Sequence, residues 1–345
     1  MAGKPCLLVT GGAGFLGSHL TRSLLLDERY SECDVIVLDD LSGGFRQNVP
    51  TSSRLRFVEG SVTDHELVDQ LFRQNHVDVV FHLAAYAAEG LSHFIRRFNY
   101  HNNLIGSVNL INAAVRHNIR HFVFTSSIAV YGAGQVPMRE STAPLPEDPY
   151  GISKYAVELD LKAAHELFGL NYTVFRPHNV YGEHQNIGDK YRNVVGIFMN
   201  RIMQGQALPV FGDGLQQRAF SYVADLMPPM LSAPCEARAN GQVFNIGATT
   251  PTTVLELAKV VCAEFGVDAD IEFLPARNEV KAAWADHSRC DEVFGHSTAT
   301  PLNEGIRKMA QWARTVGART SSAFHNIEVT KGLPAGWTSS ADQGS

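Results

Sequence analysis

The sequence predicts a doubly wound α/β fold, a Rossmann-type parallel sheet joined to a smaller α/β substrate-binding subdomain. Three observations predict it. Apolar runs of strand length alternate with amphipathic helical stretches through the first half, the pattern of strands buried on both faces of a parallel sheet. The first of these runs opens directly into a glycine-rich turn. After Arg176-Pro177 the rhythm gives way to segments rich in Gly, Asn and Asp, with few helical stretches.

In chain order, strands are expected at Cys6–Thr10, Val35–Leu38, Leu55–Val58, Val77–Leu83, His121–Thr125 and Tyr172–Phe175. Helices are expected at Leu16–Leu26, Asn102–His117 and Ile152–Phe168 between them. Beyond Pro177 the expected elements are helix Val194–Gln204, strand Gln242–Ile246, helix Thr253–Phe265, strand Ile271–Leu274 and helix Leu302–Val316. The expected division is a dinucleotide-binding domain over 1–177, to which a segment near 219–246 returns. Residues 178–218 and 247–330 would form the substrate-binding subdomain, and 331–345 a frayed tail.

Composition narrows the function classes. Of 345 residues, 45% are hydrophobic and 19% charged, with 29 basic against 35 acidic residues, a formal charge of −6. A diffuse acidic surplus without a basic stripe gives no footprint for nucleic acid or for an anionic membrane. The apolar runs are far shorter than the ~20 residues of a spanning helix. The glycine turn comes so early that no signal peptide is expected before it. The five cysteines, at positions 6, 33, 235, 262 and 290, match neither a disulfide framework nor a metal-ligand spacing. A soluble cytoplasmic enzyme without a structural metal is the expectation.

The turn reads Gly11-Gly12-Ala13-Gly14-Phe15-Leu16-Gly17, a G-x-x-G-x-x-G spacing. Glycines allow the tight strand-to-helix turn and bring backbone amides close to a pyrophosphate at the positive helix end. Asp39 closes the second strand, where a carboxylate accepts from both ribose hydroxyls and repels a 2′-phosphate. The combination favours NAD over NADP.

Ser126-Ser127 follows the fifth strand, and Tyr150-Gly151-Ile152-Ser153-Lys154 opens the next long helix. A helix places Tyr150 and Lys154 on one face. A phenol with an ordinary pKa near ~10 is too weakly acidic to be a base at neutral pH. A neighbouring ammonium and an oxidised nicotinamide would favour the phenolate. Ser127, Tyr150 and Lys154 are therefore the candidate catalytic set, with Ser127 passing a proton or holding the substrate oxygen.

The segments TGGAGFLGSHL, VIVLDDLSGG, VFHLAA, NNLIGSVNLINA, FTSSIAVYG, PYGISKYAVE, FRPHNVYG and FGDGLQQRAFSYVADL, with Trp284-Ala285-Asp286, span about residues 5–315. Together they resemble the extended short-chain dehydrogenase/reductase family, in its nucleotide-sugar epimerase/dehydratase branch. The resemblance implies that Gly11, Gly14 and Gly17, with Phe15 and Leu16, line the pyrophosphate, and that Asp39 holds the adenosine ribose. Ser61-Val62 would flank adenine, in place of the family's Asp-Ile or Asp-Val. Leu83, Ala84, Ala85 and Asn102 would meet the middle of the cofactor, and Ser126, Tyr150, Lys154 and Pro177 its nicotinamide end. Asn179, Arg218 and Arg277 would contact the substrate diphosphate, and Glu279 a ribose.

Within that branch, 4,6-dehydratases follow the catalytic Ser or Thr with Asp-Glu, whereas this chain has Ile128-Ala129. Loss of an acid/base pair there disfavours elimination and leaves NAD-dependent 4-epimerisation of a UDP-hexose through a 4-keto sugar as the expected reaction. Epimerisation at C2, C3 or C5, hexuronate decarboxylation, dehydration and a non-catalytic NAD sensor are the alternatives. Glu89 and Ser92 stand on the expected sugar-facing loop, and Glu89 would read a hydroxyl pattern or act as a second base. Arg192, on the polar 186–193 loop, is the candidate cation for a substrate carboxylate or a lid. The family's dimer would use the helices at 102–117 and 152–168, which makes a homodimer the expected assembly.

Overall fold

The computed structural model describes residues 4–276, 280–295, 299–320, 324, 326–334 and 337. Strands β1 (Cys6–Thr10), β2 (Asp34–Asp39), β3 (Leu55–Glu59), β4 (Val77–His82), β5 (His121–Thr125) and β6 (Tyr172–Pro177) fall within two residues of the expected runs. Four short strands follow: β7 (Val180–Tyr181), β8 (Leu208–Phe211), β9 (Gln217–Ala219) and β10 (Ser221–Tyr222). Then β11 (Gln242–Ile246) returns to the sheet edge beside β6, before β12 (Pro251–Thr253), β13 (Ile271–Leu274) and β14 (Ala282–Ala283). The central sheet is parallel, with seven strands in the order β11-β6-β5-β4-β1-β2-β3. Strand order reverses between β1 and β4, so a crevice opens at their carboxyl ends.

The helices are α1 (Phe15–Leu26), α2 (His65–Gln74), α3 (Glu89–Ser92), α4 (Arg96–Tyr100), α5 (Gly106–Arg116), α6 (Pro149–Phe168), α7 (Val194–Met203), α8 (Met227–Ser232), α9 (Val254–Phe265), α10 (Ser288–Phe294) and α11 (Leu302–Val316). The period-2 alternation of β1 decides which layer each side chain joins. Cys6 and Leu8 pack with Val68, Leu110 and Leu161 of α2, α5 and α6. Leu7 and Val9 face the other way, with Leu20 and Leu24 of α1. That second core continues without a break through Tyr181, Phe198, Leu257 and Ile306 of the later half. The two halves therefore share apolar packing on one face of the sheet.

One expected boundary changes, and two features add to the expected elements. The helix expected from Asn102 begins at Arg96, and a π-turn at His101–Ile105 joins α4 to α5. Helix α2 rests on Asp64, whose carboxylate accepts from the Leu67 amide at 3.0 Å. Leu333 and Trp337, within the expected tail, join Leu91, Ile95 and Tyr191 in one apolar cluster, with Trp337 only 7% exposed. Glu328 anchors this strap by accepting from the Arg97 and Phe98 amides at the start of α4, at 2.7 and 2.8 Å. Among the described residues no helix is long and apolar enough to cross a membrane.

Candidate active site

The crevice begins at the glycine turn. Gly11 has φ +71°, and a Cβ there would come within 2.7 Å of the Ala84 amide nitrogen. A Cβ on Gly17 would lie 2.1 Å from the Gly11 carbonyl oxygen, so only glycine lets α1 start this close to β1. The helix opens at Gly14, with no side-chain cap and no acidic residue in its first turn. Its exposed amides and dipole are thus left for an anion, beside half-buried Phe15 and Leu16. Asp39 ends β2 with both carboxylate oxygens on backbone amides, from Ala13 at 2.9 Å and Leu41 at 2.8 Å. Burial raises its pKa, and those two amides oppose the rise. The remaining lone pairs suit ribose hydroxyls. Cradle, helix end and carboxylate together fit a dinucleotide.

The loop after β4 crosses this turn. Leu83 and Ala84 donate their amides to the carbonyl and hydroxyl of Thr10, at 3.2 and 3.3 Å, and Ala85 follows half-buried. Behind it runs a buried chain of polar contacts. Thr10 Oγ1 bonds His82 Nδ1 at 2.7 Å, His82 Nε2 bonds Ser107 Oγ at 2.8 Å, and Ser107 donates to the Asn103 carbonyl. The π-turn aims Asn103, not Asn102, at the loop. Asn103 accepts from the Tyr86 amide at 2.8 Å and donates to the Tyr86 carbonyl at 3.1 Å. Asn102 donates its Nδ2 to the Phe98 carbonyl of its own helix at 2.9 Å, which leaves its Oδ1 for the cofactor contact expected from it. The two residues are adjacent in sequence, and only the extra residue of the π-turn distinguishes their directions.

Tyr150 and Lys154 lie on α6, both buried. Asp148 caps the helix by accepting from the Gly151 amide at 2.9 Å. Ser92 accepts from the Tyr150 amide at 3.2 Å and donates to the Glu89 carbonyl at 2.6 Å. At 1% exposure, Ser92 supports the helix start. Lys154 Nζ donates to the Thr125 carbonyl at 2.8 Å and lies 4.8 Å above the Phe124 ring. Burial lowers its pKa to about 7, with Glu158 opposing the fall. Burial likewise pushes the Tyr150 phenol up, while a hydrogen bond with Ser127 and the charge of Arg192 pull it down and Glu89 and Asp148 add to the rise. Burial therefore opposes the phenolate that Lys154 and an oxidised nicotinamide are expected to favour. Ser127 is half-buried and starts a turn over Ile128–Tyr131, accepting from the Ala129 amide at 3.1 Å. Ser126 points its hydroxyl away from the crevice, to Glu158 at 2.5 Å, so only its backbone remains for the expected cofactor contact. Pro177 ends β6, buried.

Ser61 and Val62 lie at the far end, beyond β3. The Ser61 hydroxyl bonds Thr63 at 2.9 Å, and buried Val62 packs on Gly106. On the later half, Asn179 has φ +42°, a left-handed backbone that asparagine tolerates. Arg218, on β9, donates to the Gln217 and Val280 carbonyls at 2.8 and 2.5 Å. The Arg192 guanidinium lies 4.4 Å above the Tyr86 ring and pairs with Asp189 at 2.8 Å. Its nearest nitrogen would be 3.1 Å from a Cβ on Gly43, so this side chain spans from the loop after β2 to the loop after β4. Glu89 is exposed at the start of α3. Arg277 and Glu279 lie outside the described residues.

The profile of the NAD dependent epimerase/dehydratase family matches residues 7–247. This chain belongs to that family. It is 33% identical over 313 residues to the UDP-glucose 4-epimerase of Mycolicibacterium smegmatis, covering 89% of this chain and 98% of that one. It is 29% identical over 333 residues to the dTDP-D-glucose 4,6-dehydratase of Mus musculus, covering 93% and 90%. The crystal structure of UDP-glucose 4-epimerase with UDP-glucose from Thermotoga maritima superposes with a TM-score of 0.84 at 33% identity, over 90% of this chain and 99% of that one. The protein is thus an NAD-dependent enzyme of the nucleotide-sugar epimerase type.

Proposed function

We propose that the enzyme inverts C4 of a UDP-hexose. The observation that carries this reading is the set Ser127, Tyr150 and Lys154 at the crevice, followed by Ile128 and Ala129, both buried apolar side chains. A dehydratase needs an acid and a base next to that serine to remove water, and this chain offers neither there.

Gly11, Gly14, Gly17 and the amides of Phe15 and Leu16 would hold the cofactor pyrophosphate, and Asp39 its adenosine ribose. When bound, NAD supplies a reversible hydride acceptor at the sugar C4. Tyr150 takes the proton from the O4 hydroxyl, and Ser127, bonded to Tyr150, holds that oxygen as it becomes a carbonyl. The Lys154 ammonium, anchored on the Thr125 carbonyl, favours the phenolate and would hold the nicotinamide ribose. Tyr150 later returns the proton to O4 after the keto sugar has presented its other face. Asn179 and Arg218 grip the diphosphate and leave the hexose free to turn over. Redox change over a cycle is nil, so one cofactor serves many turnovers.

Glu89 supplies a carboxylate to the field at Tyr150, and it would select the hydroxyl pattern of the hexose. A homodimer is supported by α6, which leaves Leu159 at 50%, Leu167 at 74% and Phe168 at 62% exposure beside a groove of about 680 Å³ reaching α2 and α5. A second copy burying those side chains would double the solution mass measured by scattering, and a monomeric mass refutes it. Free cysteines throughout the described chain suit a reducing, cytoplasmic setting. The test of the reaction is direct: the NAD-loaded protein should equilibrate UDP-glucose with UDP-galactose. Failure to convert it, or release of a 4-keto-6-deoxy product, would refute the reading.

A further inference from the structure

Behind Ser127 and Lys154 lies a buried ion pair that the reaction as described does not use. Glu158 stands on α6 one helical turn after Lys154, 6% exposed, and Arg176 stands on β6, 4% exposed. The guanidinium forks onto the carboxylate, with Nε at 2.9 Å from Oε1 and Nη2 on Oε2. Oε1 also accepts from the Ser126 hydroxyl at 2.5 Å. On its other side the guanidinium lies 4.7 Å above the ring of Tyr131, whose hydroxyl donates to Asn245 on β11 at 2.8 Å. Ser127 sits between the two residues gripped in this way. Its own turn, Ile128–Tyr131, ends on the stacked ring, and its predecessor is pinned by the carboxylate.

For the fold alone such a pair is an indifferent choice. Desolvating two charges offsets most of their attraction, and apolar residues of similar volume commonly do as well. We propose that Glu158, locked by Arg176, is a positioning residue for the reaction: it fixes the Ser126–Ser127 turn against Tyr150 and supplies the fixed negative charge that keeps Lys154 an ammonium. The inference rests on the C4 reading for its kinetic arm only. The groups facing Lys154 are Tyr150 and Glu158 on its own helix, His82 on β4 and the Phe124 ring and Thr125 carbonyl on β5, with Arg176 of β6 behind Glu158. Glu158 is the carboxylate in that set and the one charge that raises the basicity of the amine. Removing it also leaves Arg176 uncompensated, which acts on Lys154 in the same direction.

The test uses the NAD-loaded enzyme with Glu158→Gln, Glu158→Asp and Ser126→Ala. In Glu158→Gln the high-pH limb of kcat should move down by about one pH unit, as expected for loss of one close opposite charge. KM for UDP-glucose should stay within about twofold, because no substrate contact is touched. Glu158→Asp should restore the limb, and Ser126→Ala should lower kcat severalfold with the limb unmoved. The Lys154 titration midpoint, followed by NMR of the labelled lysine, should fall in Glu158→Gln whether or not UDP-glucose is the substrate. An inactive parent would therefore count against the function, whereas an unmoved Lys154 midpoint counts against the inference. Should Glu158→Gln not fold, the paired Glu158→Met, Arg176→Met protein removes both charges and should fold with a lowered kcat. A parent-like kcat and pH profile in that protein overturns the proposal. Failure of both to fold also overturns it, making the pair a folding element.

Discussion

The crevice has two walls made in different ways. The wall that would hold NAD is built from contiguous motifs: one turn supplies Gly11, Gly14 and Gly17, one strand end supplies Asp39, and one helix supplies Tyr150 and Lys154. The wall that would hold the nucleotide sugar is assembled from two- and three-residue strands that exist only through distant partners. Arg218 is placed because β9 pairs with β12 on one side and β14 on the other. Arg192 is placed by stacking on Tyr86, and the Tyr191 hydroxyl beside it accepts from the Phe324 amide at 3.1 Å. Rigid local motifs suit an invariant dinucleotide, and a wall of long-range contacts can vary with the sugar.

If the two walls are functionally separate, substitutions on each should move different parameters. The largest effect belongs where they meet. Tyr150→Phe removes the proton acceptor and should cut kcat by about 10²–10⁴-fold while NAD, counted after denaturation, stays bound. Loss of the cofactor together with activity would show that the phenol is a holding group first. On the first wall, Asp39→Asn should weaken NAD by about 10- to 100-fold, the usual worth of a hydrogen bond to a charged group. KM for the nucleotide sugar in NAD-saturated protein should not change. On the second wall, Arg218→Ala should raise that KM about tenfold and leave NAD loading alone, the outcome expected if its guanidinium grips the diphosphate as proposed. Reversed outcomes for these two variants would erase the distinction between the walls.

How much was legible follows the same division. The strand ends and the glycine, Asp39 and Tyr150–Lys154 placements were readable because their signals lie within one turn or one strand. That Asn103 holds the loop after β4 is not legible, because a π-turn advances the chain by one residue and no periodicity announces it. The hydroxyls of Ser92 and Ser126 serve the Tyr150 amide and the Glu158 carboxylate. Which way a serine faces is a tertiary fact. The packing of Trp337 is not legible either, because a single aromatic among small residues carries no period. Its partners Phe94 and Tyr191 are far away in sequence.

A smaller effect should appear in the stability of the shared core. His82, His121, His178 and His287 are buried and held to about 3, 4, 4 and 3, below the ordinary 6.5, chiefly by desolvation. The unfolded chain therefore binds more protons below pH 6.5, and stability falls as pH drops from there towards 4. Lys154 adds a gentler rise in stability from about pH 7 upward, because the unfolded amine titrates higher. Melting temperatures that stay flat between pH 7 and about 4.5 would place these imidazoles in water.

In C4 inversion through a 4-keto sugar, the hydrogen on C4 leaves and returns without entering solvent. Incubating the enzyme with UDP-glucose deuterated at C4 tests this. UDP-galactose should retain the deuterium at C4, with none released to water. Washed-out label, label moved to C6, or solvent hydrogen incorporated at C3 or C5 would contradict it.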